Sequence, residues 1–68
     1  MRILAKNIKH LRALKKLTQE NLAEELCVTR SRISSYEENR SSPTIEFLIS
    51  FSEYFKIPID IIIKNDLT

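Results

Sequence analysis

None of the 68 residues is glycine, and proline occurs only at Pro43 and Pro58. Two-residue β-hairpin loops need residues at φ > 0, which glycine supplies most easily. A glycine-free chain of this length therefore disfavours an all-β fold. The alternative is helices joined by short polar turns, and the apolar spacing agrees. Leu4, Ile8, Leu11 and Leu14 recur at intervals of three or four and predict a helix from Ile3 to about Lys16 with one apolar stripe. Lys6, Lys9 and Lys16 fall off that stripe, and Arg12 sits close enough to Ile8 and Leu11 to be partly buried.

The segment Leu17 to Arg40 organises the rest. Thr18 is a good N-cap, and Glu20 in the first turn suits the helix dipole. The helix that follows points Leu22, Ala23 and Leu26 inward. A capping box would place Glu or Gln where Asn21 stands, so the box is expected to be incomplete. Cys27 ends this helix at a position where a left-handed backbone is common, with strain of order 1 kcal/mol for a residue bearing a Cβ. Val28 anchors the turn in the core, and Thr29 caps a third helix.

In that third helix about 100° separates successive residues. With Ile33 and Tyr36 inward, Ser31 and Ser35 point away from the core, Arg32 and Ser34 lie to either side, and Arg30 stands at the N-terminal end. Three serines have poor helix propensity for a surface whose only task is to be a helix. Small polar residues beside two arginines suit a face that something approaches closely, such as the base edges and phosphates of DNA.

Glu37 to Pro43 forms a polar loop, with Asn39 able to adopt φ > 0 and end the helix. Thr44 caps a fourth helix with Glu46 in its first turn. Its expected inward stripe is Ile45, Leu48, Phe51 or Ser52, and Phe55, broadened by Phe47, Ile49 and Tyr54. Pro58 opens a last short helix to about Lys64. Ile59, Ile61, Ile62 and Ile63 there offer more apolar surface than one turn can bury. Together with Phe47 and Tyr54 they suggest a dimer interface.

The bulk properties set bounds. The length allows one domain, 1–68, which buries only about 60% of its unfolded surface. A hydrophobic content of 43% with three Phe and two Tyr is enough for a core. One cysteine excludes an internal disulfide, and a lone His10 leaves no ligand set for a metal, so no cofactor is expected. No apolar run approaches a membrane span and no secretory signal is visible, which suggests a reduced, cytoplasmic protein. Catalysis is not expected: no Ser/His/Asp set, paired carboxylates in a cleft or phosphate loop is present. The formal net charge of +2 is weak. However, Arg2, Lys6, Lys9, Arg12, Lys15 and Lys16 all precede the first acid, and Glu20, Glu24 and Glu25 then cluster, so one face can be basic.

Taken jointly, the chain resembles the Cro/repressor (XRE-type) helix-turn-helix proteins of bacteria and their phages. The resemblance runs without a gap from about Ile8 to Ile63. It rests on Ile8…Leu11-Arg12, on Leu17-Thr18-Gln19-Glu20-Asn21-Leu22-Ala23, on Val28-Thr29-Arg30-Ser31-Arg32-Ile33-Ser34, and on Glu37, Pro43-Thr44-Ile45-Glu46 and Ile57-Pro58-Ile59-Asp60 at the family's spacing. Three positions depart from it: Cys27 and Asn39 stand where glycine is common, and Ile61 where Glu is common.

The resemblance implies an all-α fold, a compact five-helix bundle whose third helix enters the DNA major groove, with dimers reading half-sites about 34 Å apart. It implies base reading by Arg30, Ser31 and Ser35, with Ser34 at the margin. Phosphate contacts would come from Gln19, Thr29, Arg32, Asn39, Arg40 and Ser41, with Gln19 also bracing Arg30. Arg12 and Glu37 match a structural salt bridge, which would explain an acid near the end of the third helix. The expected function is a transcriptional regulator, a repressor on a palindromic operator, with double-stranded DNA and a second copy of the chain as partners. The reading from a different class is a protein-interaction module, an antitoxin or coactivator-type domain on the same fold. Residues 65–68 carry no strong stop, which fits either a small complete regulator or the DNA-binding part of a longer one.

Overall fold

A computed structural model describes residues 2–68, which form five helices and, among those described residues, no strand. They are α1 (Arg2–Leu14), α2 (Gln19–Leu26), α3 (Arg30–Glu37), α4 (Ile45–Phe55) and α5 (Ile59–Lys64). Threonine caps three of them. Thr18, Thr29 and Thr44 each take an extended backbone, and each Oγ1 accepts from a first-turn amide, of Asn21, Arg32 and Phe47 respectively. At α2 the capping box is complete, contrary to expectation. The Asn21 amide nitrogen donates to Thr18 Oγ1 at 3.0 Å, and its side-chain oxygen accepts from the Thr18 backbone at 3.4 Å. Asparagine is shorter than the usual Glu or Gln but presents the same carbonyl acceptor.

The helix ends show how the chain manages without glycine. Lys16, Cys27, Asn39 and Lys56 all adopt φ of 56–58°. After each, the next residue's amide reaches five positions back: Leu17 to Arg12, Val28 to Ala23, Arg40 to Ser35 and Ile57 to Ser52. These are Schellman closures, and Leu17, Val28 and Ile57 add the apolar contact that accompanies them by packing against the core. Cys27 and Asn39 were expected in this conformation; the two lysines were not.

One core joins all five helices. Leu4, Ile8 and Leu11 of α1, Leu22 and Ala23 of α2, Ile33 and Tyr36 of α3, Phe47, Leu48 and Phe51 of α4, and Ile62 of α5 are buried together. An aromatic chain runs through it: Tyr36 packs edge-on to Phe47 at 4.7 Å, Phe47 against Phe51, and Phe51 against Phe55 at 4.5 Å. Such contacts add roughly 0.5–1.5 kcal/mol each beyond area burial.

Several expectations need correction. Leu14 is 65% exposed, because the last turn of α1 runs past the end of the core. Ile45 is 58% exposed and Ile49 is also exposed, since α4 turns Phe47, Leu48 and Phe51 inward instead. Ile62 is fully buried in the chain's own core and Phe47 nearly so, so neither can form a dimer surface. The most deeply buried polar residue was not anticipated. Asn7 has no exposed surface; its Nδ2 donates to the carbonyls of Ile62 and Asn65, both at 2.7 Å, and its Oδ1 accepts from the Leu67 amide at 2.9 Å. One side chain thus fastens α5 and the segment after it to α1.

Candidate nucleic-acid interface

The turn between α2 and α3 is three residues long, and its geometry follows from the left-handed Cys27. That residue reverses the chain, Val28 drops onto the core, and Thr29 starts α3 at once. Ile33 and Tyr36 hold the inner side of α3. Its outer side is left bare: Arg30, Ser31 and Arg32 are exposed, and Ser34 and Ser35 half-buried. Among the described residues, no side-chain hydrogen bond or ion pair engages Arg30 or Ser31.

Two hollows flank this helix. Thr29, Ser31, Arg32, Ser35, Tyr36, Ser41 and Ser42 line an open one of about 430 Å³. Five hydroxyl-bearing Ser and Thr side chains and one guanidinium there make a surface that can donate to an anion from several directions. It brings together five of the residues singled out from sequence and adds Ser42 and Tyr36. The signal for Ser42 was its place in the polar loop; Tyr36 was read as core and also borders the hollow. The second hollow, about 450 Å³, is lined by Arg12, Thr18, Gln19, Glu20 and Arg30.

The floor between α1, α2 and α3 is a single ionic cluster. Arg12 Nε donates to Glu37 Oε2 at 2.6 Å, and Nη2 donates to Oε1 at 3.1 Å. Arg12 Nη1 donates to the Leu17 carbonyl at 2.7 Å. Gln19 Nε2 donates to the same Glu37 Oε1 at 3.0 Å. The Glu37 side chain is only 2% exposed, so it is satisfied inside the protein by groups from two other helices. Gln19 is thus oriented by Glu37, while Arg30 shares its hollow without bonding to it.

Arg40 is not free either. It pairs with Glu38 at 3.5 Å and donates to Ser34 Oγ at 3.2 Å, and that hydroxyl donates to Glu38 at 3.0 Å. Asn39 supplies the left-handed turn just before it.

This arrangement matches known proteins. The helix-turn-helix family model covers residues 8–62. The chain belongs to the helix-turn-helix family. This helix-turn-helix chain is 39% identical over 59 residues to the HTH-type transcriptional activator BcrR of Enterococcus faecalis, matching 87% of itself and 29% of that protein. It is 33% identical over 64 residues to the uncharacterized HTH-type transcriptional regulator YqaE of Bacillus subtilis, matching 94% of itself and 55% of the relative. It is 37% identical over 60 residues to the uncharacterized HTH-type transcriptional regulator MJ0272 of Methanocaldococcus jannaschii, matching 87% of itself and 91% of the relative. The chain thus spans from under a third to nine-tenths of the length of these relatives. Among solved structures, the N-terminal DNA binding domain of SinR from Bacillus subtilis superposes over all of both chains with a TM-score of 0.88 at 26% identity.

The chain is therefore a helix-turn-helix domain of all-helical fold. No helix among the described residues is long and apolar enough to cross a membrane. Of the four C-terminal isoleucines, Ile62 belongs to the core, and Ile59 and Ile63 are partly buried against it. Ile61 is half-exposed and packs outside that cluster.

Proposed function

We propose that this domain reads duplex DNA sequence for a transcriptional repressor, binding a palindromic operator as a dimer with α3 of each copy in the major groove. The observation that carries the reading is the outer face of α3. Arg30 and Ser31 stand exposed and unengaged on a helix whose opposite side is locked into the core. Arg30 pairs bidentately with guanine O6 and N7, and Ser31 and Ser35 read neighbouring edges with Ser34 at the margin. Thr29, Arg32 and Ser41 take backbone phosphates in the hydroxyl-lined hollow, joined by Gln19, Asn39 and Arg40. The whole of 1–68 acts as one binding domain in the cytoplasm, by equilibrium binding without catalysis. Repression follows from occupying duplex that polymerase needs. Phosphate contacts set affinity and base contacts set discrimination. A dimer making about six to eight phosphate contacts gives a log K against log salt slope of roughly −5 to −7.

Selection from a pool of random duplex DNA, sequenced at two salt concentrations, tests this with the wild type and an Arg30→Ala variant. Enrichment of a palindrome with half-sites about one helical turn apart, relaxed at one position by Arg30→Ala, is the expected result. A single enriched half-site would remove the dimer. No enrichment would overturn the DNA reading in favour of a protein-interaction module.

A further inference from the structure

Two acids end α3, and only one is explained by the fold. Glu37 is buried and holds Arg12 and Gln19. Glu38, the C-cap residue, has a side chain 58% exposed and reaches nothing in the core. A negative charge at a helix C-terminus is disfavoured by the helix dipole, and a solvent-exposed ion pair returns little stability. Folding therefore gives no reason for this carboxylate.

Its contacts point elsewhere. One oxygen lies 3.5 Å from Arg40 Nε, the other accepts from Ser34 Oγ at 3.0 Å, and Arg40 Nη2 donates to that hydroxyl at 3.2 Å. A guanidinium and a hydroxyl sharing one two-oxygen anion is also how a phosphate diester is held. Arg40 directly precedes Ser41, and Ser34 directly precedes Ser35, and both of those serines line the hydroxyl-lined hollow beside α3. We propose that Glu38 is an internal competitor for DNA: in the free protein it occupies the anion site formed by Arg40 and Ser34, and a backbone phosphate must displace it. The inference rests on the DNA-binding reading above and names how that site is regulated.

The consequences follow from ion bookkeeping. When Arg40 moves from Glu38 to a phosphate, the DNA loses a counterion but the freed carboxylate gains one. The net release from this contact is near zero, where an unpaired arginine would release about 0.9. Glu38 thus lowers affinity and flattens salt dependence. Because a phosphate contact carries no sequence information, it does so equally for every duplex.

The experiment is fluorescence anisotropy on two mixed-sequence duplexes of about 20 base pairs, long enough for two half-sites, at salt from about 50 to 200 mM. It uses wild type, Glu38→Gln, Arg40→Gln and the double variant, with thermal melts to verify folding. Glu38→Gln is expected to bind both duplexes more tightly by the same factor, with a slope steeper by about 0.9 per protomer, or about 1.8 for the dimer, so its advantage shrinks roughly tenfold over that salt range. In the Arg40→Gln background the advantage should vanish. Equal or weaker binding by Glu38→Gln, an unchanged slope, or a gain that survives Arg40→Gln would each overturn the proposal while leaving DNA binding intact. If neither wild type nor variants bind duplex at all, the DNA reading fails and this inference with it.

Discussion

Arg12 and Glu37, 25 positions apart in sequence, meet in a two-bond fork with N–O distances of 2.6 and 3.1 Å that ties α1 to α3. The pair is nearly dry, with side chains 15% and 2% exposed. Removing one partner strands the other's charge, which typically costs about 3–5 kcal/mol, whereas replacing both with apolar groups is often close to neutral. Glu37→Ala should therefore destabilise the protein by about 3 kcal/mol in urea unfolding. Arg12→Leu combined with Glu37→Leu should cost much less than the sum of the single changes. Additive single effects would mean the two groups do not act as a pair.

Asn7 should prove as sensitive as a core leucine. Asn7→Ala leaves the Ile62 and Asn65 carbonyls and the Leu67 amide without their partner. The expected loss is about 2–4 kcal/mol, since each stranded buried group costs roughly 1–3 kcal/mol and water can recover some of them. Asn7→Asp should be worse at neutral pH, because a carboxylate faces two carbonyl oxygens and has no hydrogen to give. Hydrogen exchange at the Leu67 amide reads the same event locally, and protection that survives Asn7→Ala would contradict this role.

The left-handed lysines are sites for stabilisation. A residue with a Cβ pays about 1–2 kcal/mol in this conformation, against roughly 0.5–1 kcal/mol of extra unfolded-state entropy for glycine. Lys56 is exposed and at φ 58°, so Lys56→Gly should raise stability by about 0.5–1 kcal/mol, a rise in Tm of several degrees for a domain this small. A fall in Tm would show that the lysine stem contributes more than the backbone strain.

The C-terminal segment should loosen in acid. Hydrogen bonding from the Thr68 side chain, then from Lys6 at 3.0 Å, pulls the Asp66 carboxyl down from 3.8 to about 2. A depressed carboxylate pKa contributes stability that is complete above the unfolded value and disappears as pH falls through the folded one. Its contribution should therefore hold above pH 5 and vanish between about pH 4 and 2, and Asp66→Asn should remove that part of the acid dependence. NMR titration of the Asp66 carboxyl checks the assignment directly; a midpoint near the model-peptide range would refute it.

Self-association, if it uses α5, must centre on Ile61, because Ile62 is spent on the core and Ile59 and Ile63 lean against it. Ile61→Glu should weaken the dimer at micromolar concentration in sedimentation while leaving the monomer's melting temperature within about 1–2 °C. A fully monomeric wild type, with or without duplex DNA, would remove the interface.

Much of this architecture could be read before any coordinates, because it rests on interactions spanning a few residues. The threonine caps, the inward Ile33 and Tyr36, and the left-handed Cys27 and Asn39 depend on neighbours three to five positions away. Helical periodicity also gives the direction each side chain faces. It does not say where along a helix the neighbouring packing stops, and that is why Leu14 and Ile45 were placed inside although they stand in water.

The remaining features needed groups from distant parts of the chain to meet. Asn7 looks like any polar residue on a basic helix until residues 62–67 fold across it. Nothing local tells Ile62 from Ile61; α5 is one and a half turns long, and only its docking between α1 and α4 settles which isoleucine is buried. Glu37 and Glu38 are adjacent and identical, yet one is sealed beneath α3 by Arg12 and the other lies open beside Arg40. Short-range geometry therefore set the helices, their caps and the outward face of α3. Which polar groups are buried, paired or left free was decided by packing, because burial is a property of the assembled neighbours and not of the residue.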